Sequence, residues 1–482
     1  MTANFPVKSA FTVAVVGATC VVGLWLWHCW CVFPYHSWNE LRLIPSFTWA
    51  QGHPVYTSEQ GGPASTWIYG PVPVLLLWPA TLASSAAAAL LTAGFLNLLV
   101  TVSAVFVFCL SVPATPSTTR WHRYAAALVC LALWPRSAFQ YIQADNFTIA
   151  FGLIGNLLLL RGGRGACWLA AACAVTAMAC KQTSLELPAA QLLWLGIVAG
   201  RRAMFTHLLR LAVCALLLGS GVILTFDPHS LWFNLVTLPG GLPWKGMLER
   251  IYEDPTSLAL HVVLPGLILM TGRKKIFCRE SPLLLPALCC LLSFAPGLAS
   301  FFKIGGSSNS FHGMQYFLPA LLIWAASRWG TNSRFNKAPA FVILLVVLCP
   351  IGRLGLLPVR VWTPLTIHLH QAAFLSHELP GQVWFPWNPV ITYYAEKKVY
   401  HTEDGLAIRH LAGKSLDILS LTQHLPPQWH VTAVRSNQAE WGIAETLRPL
   451  EVQTTTVGLW RIESWNLPPP SRLGDPAPPD SP

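Results

Sequence analysis

Two acids and three bases stand at the rims of long apolar runs, spread over four links of this 482-residue chain: Glu40, Arg136 with Asp145, Lys181 and Lys303. A charge at a membrane rim is costly enough that it ordinarily has a partner or a task. Links that carry an acid and several cations can converge above one helical bundle, and that combination suits one chemistry well. The cations hold the phosphate of a lipid-linked donor while an acid removes the proton of an attacking hydroxyl. Around these five residues lie Gly52-His53-Pro54-Val55-Tyr56, Ile68-Tyr69-Gly70-Pro71, Gln143-Ala144-Asp145-Asn146, Lys181-Gln182-Thr183 with Glu186, and Lys303-Ile304-Gly305-Gly306-Ser307-Ser308-Asn309.

Each residue also has a plainer role open to it. Glu40 can cap an interfacial helix or pair with Arg42, and Asp145 can cap a helix that starts at Asn146. Lys181 and Arg136 can snorkel from span ends toward headgroups. Lys303 sits beside two glycines that would let backbone N–H groups approach a phosphate, or that would simply make a turn. His36 and His53 read first as interface residues. Asn146-Phe147-Thr148 matches a glycosylation sequon, which a bacterial-looking chain would not use.

The elements that must position these groups are about eleven apolar spans. They are expected near 10–33, 87–111, 124–138, 147–160, 165–180, 184–200, 207–225, 257–271, 282–302, 313–327 and 339–357. Runs of this kind cross bilayers, and short cytoplasmic links carry an excess of Lys and Arg. Here Arg120/Arg123, Arg161/Arg164, Arg201/Arg202, Arg273/Lys274/Lys275/Arg279 and Arg328/Arg334/Lys337 fall on every second link. The first run follows Lys8, lacks a cleavage site and reads as a signal anchor, with Trp25, Trp27 and Trp30 toward its far end. The N-terminus is then cytoplasmic, and every acid and base named above faces outward. Residues 71–83 (PVPVLLLWPATLA) are too short to span and carry three prolines, which fits a re-entrant or interfacial helix.

Composition agrees. Hydrophobic residues make up 54% and charged residues 11% of the chain, with mean hydropathy +0.49, unlike an ordinary soluble domain. The net charge of +11 follows the cytoplasmic links, so it is an orientation signal and not a nucleic-acid footprint. The 13 cysteines fall almost wholly in apolar runs with no metal-ligand spacing, so neither a disulfide framework nor a zinc site is expected.

Three regions follow: a transmembrane body over 1–357 with a long first outer loop at 34–86, an extracytoplasmic α/β domain over 358–467, and a disordered Pro-rich tail at 468–482. In the second region Val383–Pro386 and Trp429–Arg435 read as strands, Asn437–Leu447 as a helix, and Leu450–Ile462 as β-rich. That domain is expected to pack over the first outer loop and to do no chemistry itself. The fold class is thus an all-α polytopic membrane bundle with a small α/β extracytoplasmic domain.

Over roughly residues 10–330 the chain resembles the polytopic GT-C glycosyltransferases, which use dolichyl- or polyprenyl-phosphate sugars. The matching features run in order: an acid just after the first span, the G-x-P-x-Y and Y-G-P elements before a short Pro-bounded helix, then Q-A-D, K-Q-T and G-G-S-S-N. The branch it looks closest to is an uncharacterised bacterial one among mannosyl- and arabinosyltransferases. The resemblance implies an inverting transfer of a sugar from a polyprenyl-phosphate donor to a hydroxyl of a glycan or lipid acceptor, at the plasma membrane's outer face.

It also implies Glu40 as catalytic base, although the family most often has Asp there and position 39 is Asn. Asp145 is the second candidate. Substrate-binding residues would be Arg136, Lys181, Gln182, Lys303, Asn309 and Tyr69. No metal site is assigned, although one acid together with donor phosphate could hold a divalent metal. The competing class is a transporter or flippase for a lipid-linked or polar solute. Such proteins place ionisable groups at mid-membrane, whereas Asp and Glu collect here at the outer rim.

Overall fold

The computed structural model describes residues 5–65, 67–112, 119–134, 137–253, 258, 262–306, 308–311, 313–329, 372, 377–435, 452–457 and 460–464. The body is helical. Val15–Val32, Ala86–Ser111, Arg201–Thr225 and Leu284–Phe301 are long and apolar enough to cross a membrane, and the described residues add shorter apolar helices at Arg164–Cys180, Glu186–Val198 and Gly313–Ala325. The span expected at 339–357 lies outside the described residues, as do the helix at 437–447 and the tail from 465. Of the span expected at 257–271, the described helix is Leu264–Thr271.

Sequence sets the ends of these helices locally. The Ala86–Ser111 helix begins where the Ser85 hydroxyl accepts from the Ala88 N–H at 3.3 Å. Ala144–Arg161 ends at Gly162 and Gly163, both at positive φ (72° and 91°), which lets Arg164–Cys180 turn straight back alongside it. Small residues then bring these two helices together: a Cβ on Gly155 would stand 3.1 Å from Cys173 Cβ and 3.3 Å from the Ala170 carbonyl. The run at 282–302 holds the helical stretches Leu284–Leu292 and Phe294–Phe301. They join at Ser293, whose backbone stays helical (φ −73°, ψ −12°) and whose hydroxyl donates back to the Cys290 carbonyl at 2.9 Å.

Arginines gather at one end of the bundle. Arg123 donates to the Leu110 carbonyl (2.8 Å), Arg161 to the Ser111 carbonyl (3.3 Å) and Arg279 to the Val198 carbonyl (2.7 Å), each closing the C-terminus of a neighbouring helix. Asp145 and Lys181 lie at the opposite ends of their helices.

The long first loop carries a helix at Ser37–Ala50 and the short Pro-bounded turn Val72–Leu82, which is helical and too short to span. Over it lies a layer built from the described residues at 377–435, 452–457 and 460–464. Its sheet runs β1-β2-β4-β3. β1 (Val383–Trp384) is parallel to β2 (Val431–Arg435), and β4 (Trp460–Ser464) is antiparallel to both β2 and β3 (Gln453–Val457). The helices Pro389–Glu396, Glu403–Leu411 and Ile418–Gln423 complete it, the last two capped by Thr402 and Asp417. Val383, Phe385, Val431, Ala433 and Ile462 share one buried cluster with Leu43, Ile44 and Phe47 of the loop helix and with the start of Ala86–Ser111. Layer, loop and bundle are therefore packed as one body.

Candidate active site

Asp145 opens the Ala144–Arg161 helix, and Lys181 follows the last residue of Arg164–Cys180. The glycine hairpin between those helices brings their far ends together, and Lys181 Nζ lies 2.5 Å from Asp145 Oδ1. Both side chains are buried, at 9% and 2% exposure, so the pair interacts in a low-dielectric setting where neither charge is tolerable alone. Asn309, in the short turn Ser308–Phe311, donates Nδ2 to Asp145 Oδ2 at 3.1 Å. Both carboxylate oxygens are thus engaged. Lys181 makes no other hydrogen bond among the described residues, leaving two of its three N–H groups for a ligand.

Half-buried aromatic rings surround this group. Lys181 feels the Tyr69 hydroxyl as well as Asp145, and Tyr141 feels both Asp145 and Tyr69. Burial, more than those neighbours, raises the Tyr141 phenol above its ordinary value. The Tyr141 ring stacks on His36 at 4.1 Å, and the Arg42 guanidinium lies 4.9 Å from the Tyr69 ring and 5.2 Å from Trp38. Burial, aided by Arg435, lowers His36 to about 4, so it is neutral at physiological pH. Gly70 packs directly on the end of the Arg164–Cys180 helix. Its N–H donates to the Cys180 carbonyl at 3.1 Å, and any Cβ there would fall 1.9 Å from the Ala179 carbonyl oxygen.

Glu40 stands apart from that pair. It has no exposed surface, and its Oε1 accepts from Asn388 Nδ2 of the C-terminal layer at 2.6 Å. Burial drives its pKa up to about 7, against the opposing pull of Arg435, Asn388 and the Ile391 and Val390 N–H groups. Asn39 is a strut: it donates to the Phe33 and Gln140 carbonyls (2.5 and 3.0 Å) and accepts from the Ile142 N–H (2.8 Å), tying the loop helix to the strand of chain that leads to Asp145.

The raised value makes a sign-definite prediction. An unfolded chain releases the Glu40 proton in the ordinary glutamate range, while the folded chain holds it to about 7. Stability should therefore fall as pH rises through that window, by roughly 3 kcal/mol in total. Glu40→Gln, which can still accept from Asn388, should flatten the profile and raise the apparent melting temperature at pH 8. Thermal unfolding of both proteins in nanodiscs at pH 5 and pH 8 checks it.

Among the sequence candidates, then, Asp145, Lys181, Asn309 and Tyr69 come together. Gln182 and Lys303 are engaged elsewhere. Gln182 Nε2 donates to the Ile68 and Leu235 carbonyls (2.9 and 2.8 Å), and Lys303 Nζ to those of Pro239 and Gly240 (2.7 and 3.2 Å). Both grip the Phe233–Gly241 stretch, where a ligand phosphate had been the expected partner. Arg136 lies outside the described residues. The sequence does not mark Asn388 or Tyr141 as neighbours of these groups. Asn388 sits 348 positions from Glu40, and no local pattern pairs them. No group of three His, Cys, Asp or Glu among the described residues is placed to hold a metal.

No family model and no curated protein matches the chain. Among solved structures it is similar to ArnT from Cupriavidus metallidurans in the apo state, at 13% identity and TM-score 0.56, covering 98% of this chain and 100% of that one. It is also similar to the same protein bound to undecaprenyl phosphate, at 13% identity and TM-score 0.53, covering 95% of this chain and 100% of that one. At such identity the likeness is one of fold.

Proposed function

We propose that this chain is an integral membrane glycosyltransferase that moves a sugar from a polyprenyl-phosphate donor to a hydroxyl acceptor. The observation that carries the reading is the buried Asp145–Lys181 pair with Asn309, at the rim of a bundle that shares its fold with a protein solved with undecaprenyl phosphate bound. A buried ion pair is weak evidence for stability, whereas an acid and a cation whose partners can be exchanged suit a phosphate and a hydroxyl.

In this scheme the donor phosphate takes the free N–H groups of Lys181, and Asn309 steadies the acid. The acceptor oxygen attacks the anomeric carbon from the face opposite the phosphate. The sugar–phosphate C–O bond breaks with its electron pair going to polyprenyl phosphate, so configuration inverts. The hydroxyl proton passes to Asp145, which Lys181 has released on engaging the phosphate. Glu40, wholly buried against Asn388, fastens the C-terminal layer to the loop helix. The charge bias supports a topology in which the arginine-rich ends face the cytoplasm, with this site and the C-terminal layer on the outer face of the plasma membrane, above about eleven spans.

Proteoliposomes carrying the full chain and a panel of polyprenyl-phosphate hexoses and pentoses test this reading. The expected result is release of free polyprenyl phosphate from at least one panel member, faster when a glycan or lipid acceptor is present. Movement of the intact lipid-linked sugar between leaflets without cleavage would place the chain with the flippases instead.

A further inference from the structure

A π-helical stretch, Phe233–Thr237, lies between the C-terminal layer and the residue next to Lys181. Such stretches are uncommon and tend to mark functional sites. Its three named contacts face three ways. The Arg409 guanidinium, from the Glu403–Leu411 helix, covers the Phe233 ring at 5.0 Å. Asn234 Nδ2 donates to the Thr57 carbonyl at 2.7 Å, and Gln182 Nε2 to the Leu235 carbonyl at 2.8 Å.

Arg409 grips the same loop from the other side. It donates to the Thr57 hydroxyl at 3.0 Å, to the Ser58 carbonyl at 2.9 Å and to the Glu59 carbonyl. It is 2% exposed. A continuous path of packed and hydrogen-bonded groups thus runs from Arg409 through Phe233 and Leu235 to Gln182. Gln182 follows Lys181 directly, in the turn closed by the Ser184 N–H to Lys181 carbonyl bond at 3.0 Å.

We infer that Arg409 is a positioning residue for Lys181, acting through the Phe233–Leu235 stretch and Gln182, so that the C-terminal layer sets how tightly the site holds a lipid phosphate. The inference rests on the functional reading above, because it takes Lys181 as the phosphate ligand. A loose layer would let the π stretch slide, free Gln182 and leave Lys181 without a fixed approach to the phosphate. A bidentate, planar guanidinium suits this role better than an ammonium would.

Binding of undecaprenyl phosphate to the full chain in nanodiscs, with turnover measured alongside, tests it. Arg409→Ala and Gln182→Ala should each weaken lipid affinity about tenfold, the order expected for losing one such anchored contact. Arg409→Lys should recover part of that loss, and Phe233→Leu should weaken affinity in the same direction. The Arg409→Ala/Gln182→Ala double variant should bind no more than about twofold worse than the weaker single one, because both break one path. Losses should appear in KM for the donor far more than in kcat. Lys414→Ala, which removes an exposed ion pair between the same helix region and Glu59, should leave affinity unchanged.

Fully additive losses, or wild-type affinity in Arg409→Ala, would overturn the inference while leaving the glycosyltransferase reading intact. Should Arg409→Ala fail to fold, the Phe233→Leu and Gln182→Ala pair decides by the same criterion. A wild-type chain that does not bind undecaprenyl phosphate at all would remove both.

Discussion

Asp145→Asn should cut sugar transfer by at least about a hundredfold, the lower end of what a positioned general base contributes. It should do so without weakening donor binding. The carboxylate that competes for Lys181 is gone, so affinity for undecaprenyl phosphate should stay level or rise a few-fold. Asparagine keeps the shape of the side chain and its oxygen can still accept from Lys181, while its Nδ2 can donate to Asn309 once that amide turns its oxygen inward, so the helix start is retained. A structural cap would behave otherwise: its loss costs about 1 kcal/mol of stability and leaves turnover nearly untouched. Glu40→Gln is the internal comparison and should keep transfer within a few-fold of wild type. Parallel measurement of transfer rate and lipid affinity for the two variants separates the roles.

Lys181→Met has the second large effect, and it acts on both stability and binding. Removing one member of a buried pair leaves the other uncompensated, at a cost on the order of 3–5 kcal/mol. Asp145 will then sit protonated or drag water inward. Lipid-phosphate affinity should fall roughly ten- to a hundredfold, as one charge-assisted contact is lost. The double variant Asp145→Asn/Lys181→Met should regain much of the stability, because no lone charge remains, yet should not regain binding. Thermal unfolding and lipid titration on the three proteins complete the cycle. Equal destabilisation in single and double variants would mean that the pair is not coupled as its 2.5 Å contact requires.

Much of the helical body was legible in the sequence because a bilayer-length apolar run has few other places to go. Expected spans at 87–111, 147–160 and 165–180 are found as Ala86–Ser111, Ala144–Arg161 and Arg164–Cys180. The three-proline segment is short and helical, as its length requires. Hydropathy could not show the Ser293 hydroxyl bonding back to the Cys290 carbonyl inside one apolar run. Nor did it show the helices Pro389–Glu396, Glu403–Leu411 and Ile418–Gln423. They are short and carry too few turns for a periodic pattern to stand out.

The site was legible in residue type and less so in partner. Asp145, Lys181, Asn309 and Tyr69 meet because the loops that hold them share one end of the bundle. Lys303 and Gln182 have the same credentials in sequence, yet their donors end on carbonyls of Leu235, Pro239, Gly240 and Ile68. A backbone carbonyl from a distant turn leaves no mark in the residues that bind it. Glu40 shows the same limit. Its position after the first span suggested a base, while its burial under Asn388 depends on a layer more than three hundred residues away.

The central claim is that Lys181 exchanges Asp145 for a lipid phosphate, and a structure of the full chain in nanodiscs with undecaprenyl phosphate tests it most directly. The account predicts phosphate density within hydrogen-bonding distance of Lys181 Nζ, the Lys181–Asp145 contact opened from its present 2.5 Å, and Asp145 still held by Asn309. A phosphate bound elsewhere with the Lys181–Asp145 pair intact would contradict it.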